Sequence, residues 1–81
     1  MGKEVVFHPY ALYKMGGREI SKAKVEETIK QPHSIMKGKF GRKIAQRRYG
    51  DHLLRVVFEE YENCVLVITA YPARAERYLR G

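Results

Sequence analysis

Pro32 divides the chain into two hydrophobic periods that belong to different kinds of element. Before it, Ala11, Leu12 and Met15, and then Val25 and Ile29, recur at the three- and four-residue spacing of a helix with one buried stripe. After it, residues 53–61 alternate, with Leu54, Val56 and Phe58 on one side and Arg55, Val57 and Glu59 on the other, as in a strand with one core face. Proline has no backbone donor and cannot continue a helix, so the change of period falls there for a physical reason. The chain is therefore expected to be α+β.

The elements follow in order. Val5, Val6 and Phe7 make a short apolar first strand, and His8-Pro9 turns the chain into a helix, with proline in the first turn where no donor is missed. Gly16-Gly17 ends that helix. Ser21 is suited to cap the next one, with Ile20 before the cap packing on Val25 as a hydrophobic staple. This second helix is expected over residues 22–31, with Lys22, Lys24, Glu26, Glu27 and Lys30 facing water. Three or four consecutive antiparallel strands then complete the sheet. Residues 73–81, after Pro72, read as a short C-terminal helix or an arm carrying Arg74, Arg77, Tyr78 and Arg80.

The last two strands, 53–61 and 64–71, are joined by a polar link that makes a hairpin. A three-residue loop, Tyr61-Glu62-Asn63, would put Cys64, Leu66, Ile68 and Ala70 on the core face beside Leu54, Val56 and Phe58. Arg55, Thr69 and Tyr71 would then share the other face. A two-residue loop would reverse that register and bury Tyr71.

Charge is as unevenly distributed as hydrophobicity. No acidic residue lies between Glu27 and Asp51, yet the interval holds Lys30, Lys37, Lys39, Arg42, Lys43, Arg47 and Arg48, seven cations that equal the net charge of +7. The rest of the chain carries nine cations and nine anions, so the positive field is local. Such a field points to a polyanion, nucleic acid before an anionic membrane; a solvated face kept for solubility is the plainer alternative. Gly38 and Gly41 bracket a turn between two strands, about 35–37 and 42–49. The second has mixed faces: Arg42, Ile44, Gln46 and Arg48 on one, Lys43, Ala45, Arg47 and Tyr49 on the other. A strand that binds phosphate would look like this, and so would a charged edge strand.

Eighty-one residues make a single domain that buries roughly 60–65% of its unfolded surface. The lone Cys64 cannot form an internal disulfide, no apolar run approaches the roughly 18 residues of a membrane span, and the opening residues lack the long apolar core expected of a signal peptide. A cytoplasmic protein without membrane attachment is expected. Gly38-Lys39-Phe40-Gly41 matches the G-x-x-G loop of KH domains, but that loop joins two helices and Pro32 leaves too few residues for one. No nucleotide-binding glycine loop and no metal-ligand spacing is present, so no cofactor and no metal is expected.

Residues 7–21, FHPYALYKMGGREIS, resemble the opening of a small prokaryotic domain-of-unknown-function family that typically reads F-x-x-H-A-x-x-R-x-x-x-R-G-I-S, followed by valine and proline at Val25 and Pro32. The stretch 65–71, VLVITAY, resembles the same family's closing strand, V-V-T-x-Y. In this chain Tyr10 stands at the family histidine, Lys14 at the first arginine and Glu19 at the glycine, while Arg18 matches the second arginine. The resemblance places the chain near the RelE-like toxin ribonucleases of the barnase, colicin and RelE fold group. It implies a RelE-like fold, metal-independent endoribonuclease activity or its loss, and an acidic antitoxin as partner.

Metal-free RNA cleavage needs a group to move the proton of the 2′-hydroxyl, cations to hold the pentacoordinate phosphate and a donor for the leaving oxygen. Tyr71 and a histidine, His8 or His52, are the proton carriers on offer, an imidazole being the side chain that titrates near neutrality, and Arg18, Arg47, Arg48 and Arg55 can grip phosphate; Tyr71, His8, Arg55 and Arg48 make the expected catalytic set. Lys14, Arg18, Lys37, Lys39, Arg42, Lys43, Arg47 and Arg48 are the expected nucleic-acid contacts. Three functions remain open at this point: a RelE-like endoribonuclease, a noncatalytic RNA- or ribosome-binding module on the same fold, and an interaction protein whose charge serves solubility. A homodimer through an edge strand is a further expectation.

Overall fold

In a computed structural model, residues 3–74 are described. Strand β1, Glu4–Phe7, is followed by helices α1, Pro9–Gly17, and α2, Lys22–Lys30; then come strands β2, Ser34–Lys37, β3, Lys43–Tyr49, β4, His52–Glu60, and β5, Cys64–Arg74. A single 3-10 turn, Lys39–Gly41, connects β2 to β3. The sheet has the order β1-β5-β4-β3-β2. Its last four strands are antiparallel neighbours, as the sequence leads one to expect, and β1 joins as a fifth strand parallel to β5. The helix pair between β1 and β2 forms the connection that lets the first and last strands run side by side.

Both helices begin and end for local reasons. His8 caps α1 with its ring, Nδ1 accepting from the Tyr10 amide at 3.0 Å, and Pro9 occupies the first turn. Ser21 Oγ accepts from the Lys24 amide at 3.2 Å and starts α2; Gln31 closes it immediately before Pro32. Between them the chain turns through a Schellman motif: the Ile20 amide donates to Met15 O at 2.9 Å and the Glu19 amide to Gly16 O at 3.3 Å. Glu19, at φ 56°, occupies the left-handed position that usually belongs to glycine. Ile20 packs against the apolar cluster that contains Met15.

One face of the sheet carries the helices. Ala11, Met15 and Val25 pack there on Leu54, Val56, Val67 and Ala70, with Val5, Phe7, Ile20, Ile29 and Tyr49 around them. A smaller continuation gathers Ala45, Phe58 and Val65 under Ile29. Among the described residues no helix lies on the opposite face, termed the open face, although Leu53, Gln46 and Arg55 on it are buried. Alternation assigns Ile44, Gln46 and Arg48 of β3, Leu53, Arg55, Val57 and Glu59 of β4, and Thr69 and Tyr71 of β5 to that open face.

The hairpin between β4 and β5 corrects the three-residue loop. Glu60 pairs with Val65 and the Tyr61 amide donates to Cys64 O at 2.8 Å, so the turn proper is Glu62-Asn63. Near this turn Val65 and Val67 face the core in place of Cys64 and Leu66. The register then shifts between Val57 and Phe58, where β5 runs from Val67 to Thr69 and leaves Ile68 as the extra residue of a bulge. Beyond it Val56 pairs with Ala70 and Arg55 with Tyr71. The bulge restores the phase that the shorter turn had reversed, and so Tyr71 lies on the open face after all.

Two smaller differences complete the comparison. Ala73 and Arg74 continue β5 as strand, while the rest of the expected C-terminal helix or arm lies outside the described residues. The Gly38-Lys39-Phe40-Gly41 loop connects two strands, which removes the KH alternative. No described helix is long and apolar enough to cross a membrane.

Candidate functional site

The register of the antiparallel strands lines up Gln46 of β3, Arg55 of β4 and Tyr71 of β5 across the open face. Arg55 ties the row together. Its Nη1 donates to Gln46 Oε1 at 2.7 Å, its Nε donates to Tyr71 Oη at 3.0 Å, and its Nη2 lies 3.8 Å from Met36 Sδ of β2. The guanidinium carbon is 5.8 Å from the Tyr71 ring centroid, within cation–π range. Arg55 is only 6% exposed and Gln46 only 2%. A charge so far out of water is tolerable because its donors are used in hydrogen bonds.

Arg18, which closes α1, reaches the same stretch of β5 from the side. Strand β1 stops at Phe7, opposite Val67, so among the described residues no strand pairs with the later part of β5 on that edge. There Arg18 Nη1 donates to Ala70 O at 2.9 Å and lies 3.5 Å from Thr69 Oγ1. Thr69 and Tyr71 are alternate residues of one strand face, about 7 Å apart. Arg18 remains exposed and has further N–H groups to offer. Tyr71, itself half-buried, is therefore flanked by a buried arginine inside the sheet and an exposed one at its edge.

The remaining expected catalytic residues are not brought to this row. His8 follows Phe7, and Tyr71 is four residues beyond the Val67 partner of Phe7, about 13 Å along the strand. Its Nδ1 is moreover engaged as the cap of α1. Arg48 lies two strands from Tyr71, roughly 10 Å across the sheet and about 7 Å further along it. Its Nε donates to Gly50 O at 2.8 Å, and its amide donates to His33 Nδ1 at 3.1 Å.

The basic interval is divided between the two faces. Arg42 and Arg48 face the open side, whereas Lys43 and Arg47 belong to the helix side, where Arg47 Nη1 donates to Gln31 O at 2.6 Å and Nε lies 3.9 Å from Glu27 Oε1. Arg42 is paired with Glu59 at 3.0 Å, and Lys43 with Glu60 at 2.7 Å, a carboxylate that Lys3 also reaches at 3.1 Å. Lys14 lies over the Tyr10 and Tyr13 rings, 5.5 and 5.9 Å from their centroids. Lys37 and Lys39, on the β2–β3 hairpin, have no ion-pair partner among the described residues. That hairpin borders a shallow groove of the open face lined by Lys37, Lys39, Phe40, Arg42, Ile44 and Val57.

These contacts leave their mark on titration. The hydroxyl of Tyr61, 2.6 Å from Glu59 Oε1, and then Arg42 hold the Glu59 carboxyl below the ordinary value, while Lys43 and then Lys3 lower that of Glu60. On the helix side, burial and then the hydrogen bond from its hydroxyl to Glu27, 2.6 Å long, raise the phenol of Tyr49.

Two residues of this face escape sequence reasoning as site members. Gln46 reads as one polar residue in a mixed strand, and only its pairing opposite Arg55 reveals what it does. Phe40 is visible only as part of a four-residue loop pattern; its exposure and its backbone conformation are products of the folded hairpin.

The family described as Domain of unknown function (DUF4258) matches residues 8–72, which span both helices, β2, β3, β4 and most of β5. The chain belongs to the DUF4258 family. No curated protein and no solved structure matched it. The DUF4258 match takes in every residue of the row, from Arg18 through Gln46 and Arg55 to Tyr71, together with the Phe40 hairpin.

Proposed function

We propose that this protein binds RNA across the open face of its sheet and cleaves it without a metal at Tyr71. The observation that carries this reading is the Arg55–Tyr71 hydrogen bond, with Arg18 held against the same strand. Tyr71 Oη accepts from Arg55, so its own proton points elsewhere and is available to a substrate. Arg18, exposed at the edge, supplies a forked donor for a phosphate. In the reaction the ribose 2′-oxygen attacks its own phosphorus and the bond to the 5′-oxygen breaks. Water takes the 2′-hydroxyl proton, Tyr71 gives its proton to the departing 5′-oxygen, and water returns one to Tyr71. The products are a 2′,3′-cyclic phosphate and a 5′-hydroxyl. Placing the family that the chain's opening and closing motifs resemble near the RelE-like toxin ribonucleases is in keeping with the same assignment, and an acidic antitoxin segment is the protein partner that the cations of the open face would accept.

The alternative is a noncatalytic RNA- or ribosome-binding module, and one observation favours it: His8 is remote and engaged as a cap, which leaves Tyr71 as the only expected proton carrier on the row. An end-labelled single-stranded RNA incubated with the protein in excess chelator separates the two. Cleavage to a cyclic phosphate that Tyr71→Phe abolishes, with retention intact, is the expected result. Retention without cleavage by the unaltered protein assigns the binding module.

A further inference from the structure

Phe40 is the most exposed large apolar residue described, at 87%, and it sits at φ 59°. Both conditions are unfavourable for an aromatic residue: the ring gains nothing from burial, and a bulky side chain in the left-handed region is strained. Neither is forced by a loose connection. The Gly38 amide donates to Arg42 O at 2.7 Å, the Arg42 amide to Lys39 O at 3.1 Å, and Arg42 is anchored to Glu59 on β4. A side chain added at Gly38 would meet Arg42 O at 3.3 Å, so glycine allows this close approach. The tip is thus a tight, tethered turn that holds a phenyl ring out in water. Strain kept in such a place is the usual sign of a binding role.

What surrounds the ring identifies the ligand. Lys39 adjoins it in the turn and Lys37 ends β2 beside the same groove, on the Lys43 side of the sheet by register; neither has an ion-pair partner among the described residues, and no acidic residue occurs in sequence from 28 to 50. The groove beside it runs over Ile44 and Val57, which are one alternate position along β3 and β4 from Gln46 and Arg55, about 7 Å away. Aromatic faces between cations, on a track leading along a sheet, are how unpaired bases are held while phosphates are neutralised on either side. A duplex keeps its bases stacked on one another and offers no face to such a ring.

We infer that the β2–β3 hairpin tip is a stacking platform for one unpaired base of a single-stranded RNA, with Lys37 and Lys39 on the adjoining phosphates. This rests on the RNA-binding reading and makes it specific: the substrate is single-stranded, and one nucleotide is gripped at Phe40 while another reaches Tyr71.

The test compares Phe40→Ala, Phe40→Leu and Phe40→Tyr with the unaltered protein, titrated against a fluorescent single-stranded oligoribonucleotide, its duplex form and anionic phosphatidylserine vesicles. Because the ring is exposed, each variant is expected to keep the unaltered circular dichroism spectrum. Stacking predicts that Ala and Leu both weaken single-strand binding roughly tenfold or more, that Tyr retains it, and that duplex binding is unmoved. Equal single-strand affinity across all variants, with the unaltered protein binding normally, overturns the platform and leaves the RNA-binding reading standing. Vesicle binding lost in Ala and kept in Leu, without a change in RNA affinity, makes the tip a membrane contact and overturns the proposal. No RNA binding by the unaltered protein overturns both.

Discussion

Arg55 Nε and Tyr71 Oη are 3.0 Å apart across neighbouring strands, and the same guanidinium holds Gln46 at 2.7 Å on its other side. One side chain thus cross-links three strands and orients the phenol at the same time. Tyr71→Phe removes the acceptor of Arg55 Nε and is expected to destabilise the protein by about 1 kcal/mol, read as a lower urea midpoint at unchanged slope. Arg55→Ala also strands the amide of Gln46 and is expected to cost about 3 kcal/mol. The order of the two, with Arg55→Ala clearly the worse, is the checkable point. A Tyr71→Phe protein that retains RNA but does not cut it separates the chemical role of the phenol from its structural one.

Glu19 provides a prediction in the opposite direction. It occupies the left-handed position of the Schellman motif at φ 56°, where an L side chain is strained and where the family pattern noted above carries glycine. Glu19→Gly is expected to stabilise the fold by about 1 kcal/mol, and Glu19→Ala to give no comparable gain, because alanine keeps the strained Cβ. Thermal unfolding of both variants measures the difference.

Acid should unfasten the C-terminal end of β4 before it unfolds the core. Glu59 and Glu60 have carboxyls lowered from the ordinary 4.5, by Tyr61 and Arg42 in one case and by Lys43 and Lys3 in the other. A group lowered in the folded state lends stability above its unfolded value, and that stability is lost as pH falls through the folded value. Stability measured by urea is therefore expected to decline as pH drops below 4.5. Glu59→Gln with Glu60→Gln should flatten that decline, and added salt should shrink the difference, since both carboxylates are largely in water.

Lys37 and Lys39 are expected to contribute affinity uniformly over RNA sequences. Replacing either by alanine should weaken binding and reduce the slope of log affinity against log salt by about 0.7, the single-strand value per phosphate contact. Lys43→Ala should change that slope much less, because Lys43 is already paired with Glu60. Fluorescence titrations at several salt concentrations make the comparison.

The sequence displayed most of the architecture because its signals were local. Pro32, the cap at Ser21 and the alternation of Leu54, Val56 and Phe58 each reflect the chemistry of a few neighbouring residues, and the folded elements follow them. Register was harder. The turn at Glu62-Asn63 and the bulge at Ile68 displace the phase of β5 twice, so the clustering of Arg55 with Tyr71 could be named while the route to it could not. The basic interval misled in another way. Its cations share one acid-free interval of sequence, yet a strand sends alternate side chains to opposite faces, and Arg47 is drawn to Glu27 of α2 and to the Gln31 carbonyl that closes it. His8 was legible as a titratable residue near the helix start, but its use as a cap depends on a ring orientation that no spacing reveals.

The most direct measurement is amide chemical-shift mapping of the protein while a short single-stranded RNA is added in excess chelator. The account predicts perturbations along the open face, at Thr69, Tyr71, Arg55 and Gln46, extending to the Lys39–Gly41 turn, with the solvent side of α2 around Glu26 unmoved. Perturbations confined to α2 and its neighbours, or none at any concentration that saturates a basic control peptide, would contradict it.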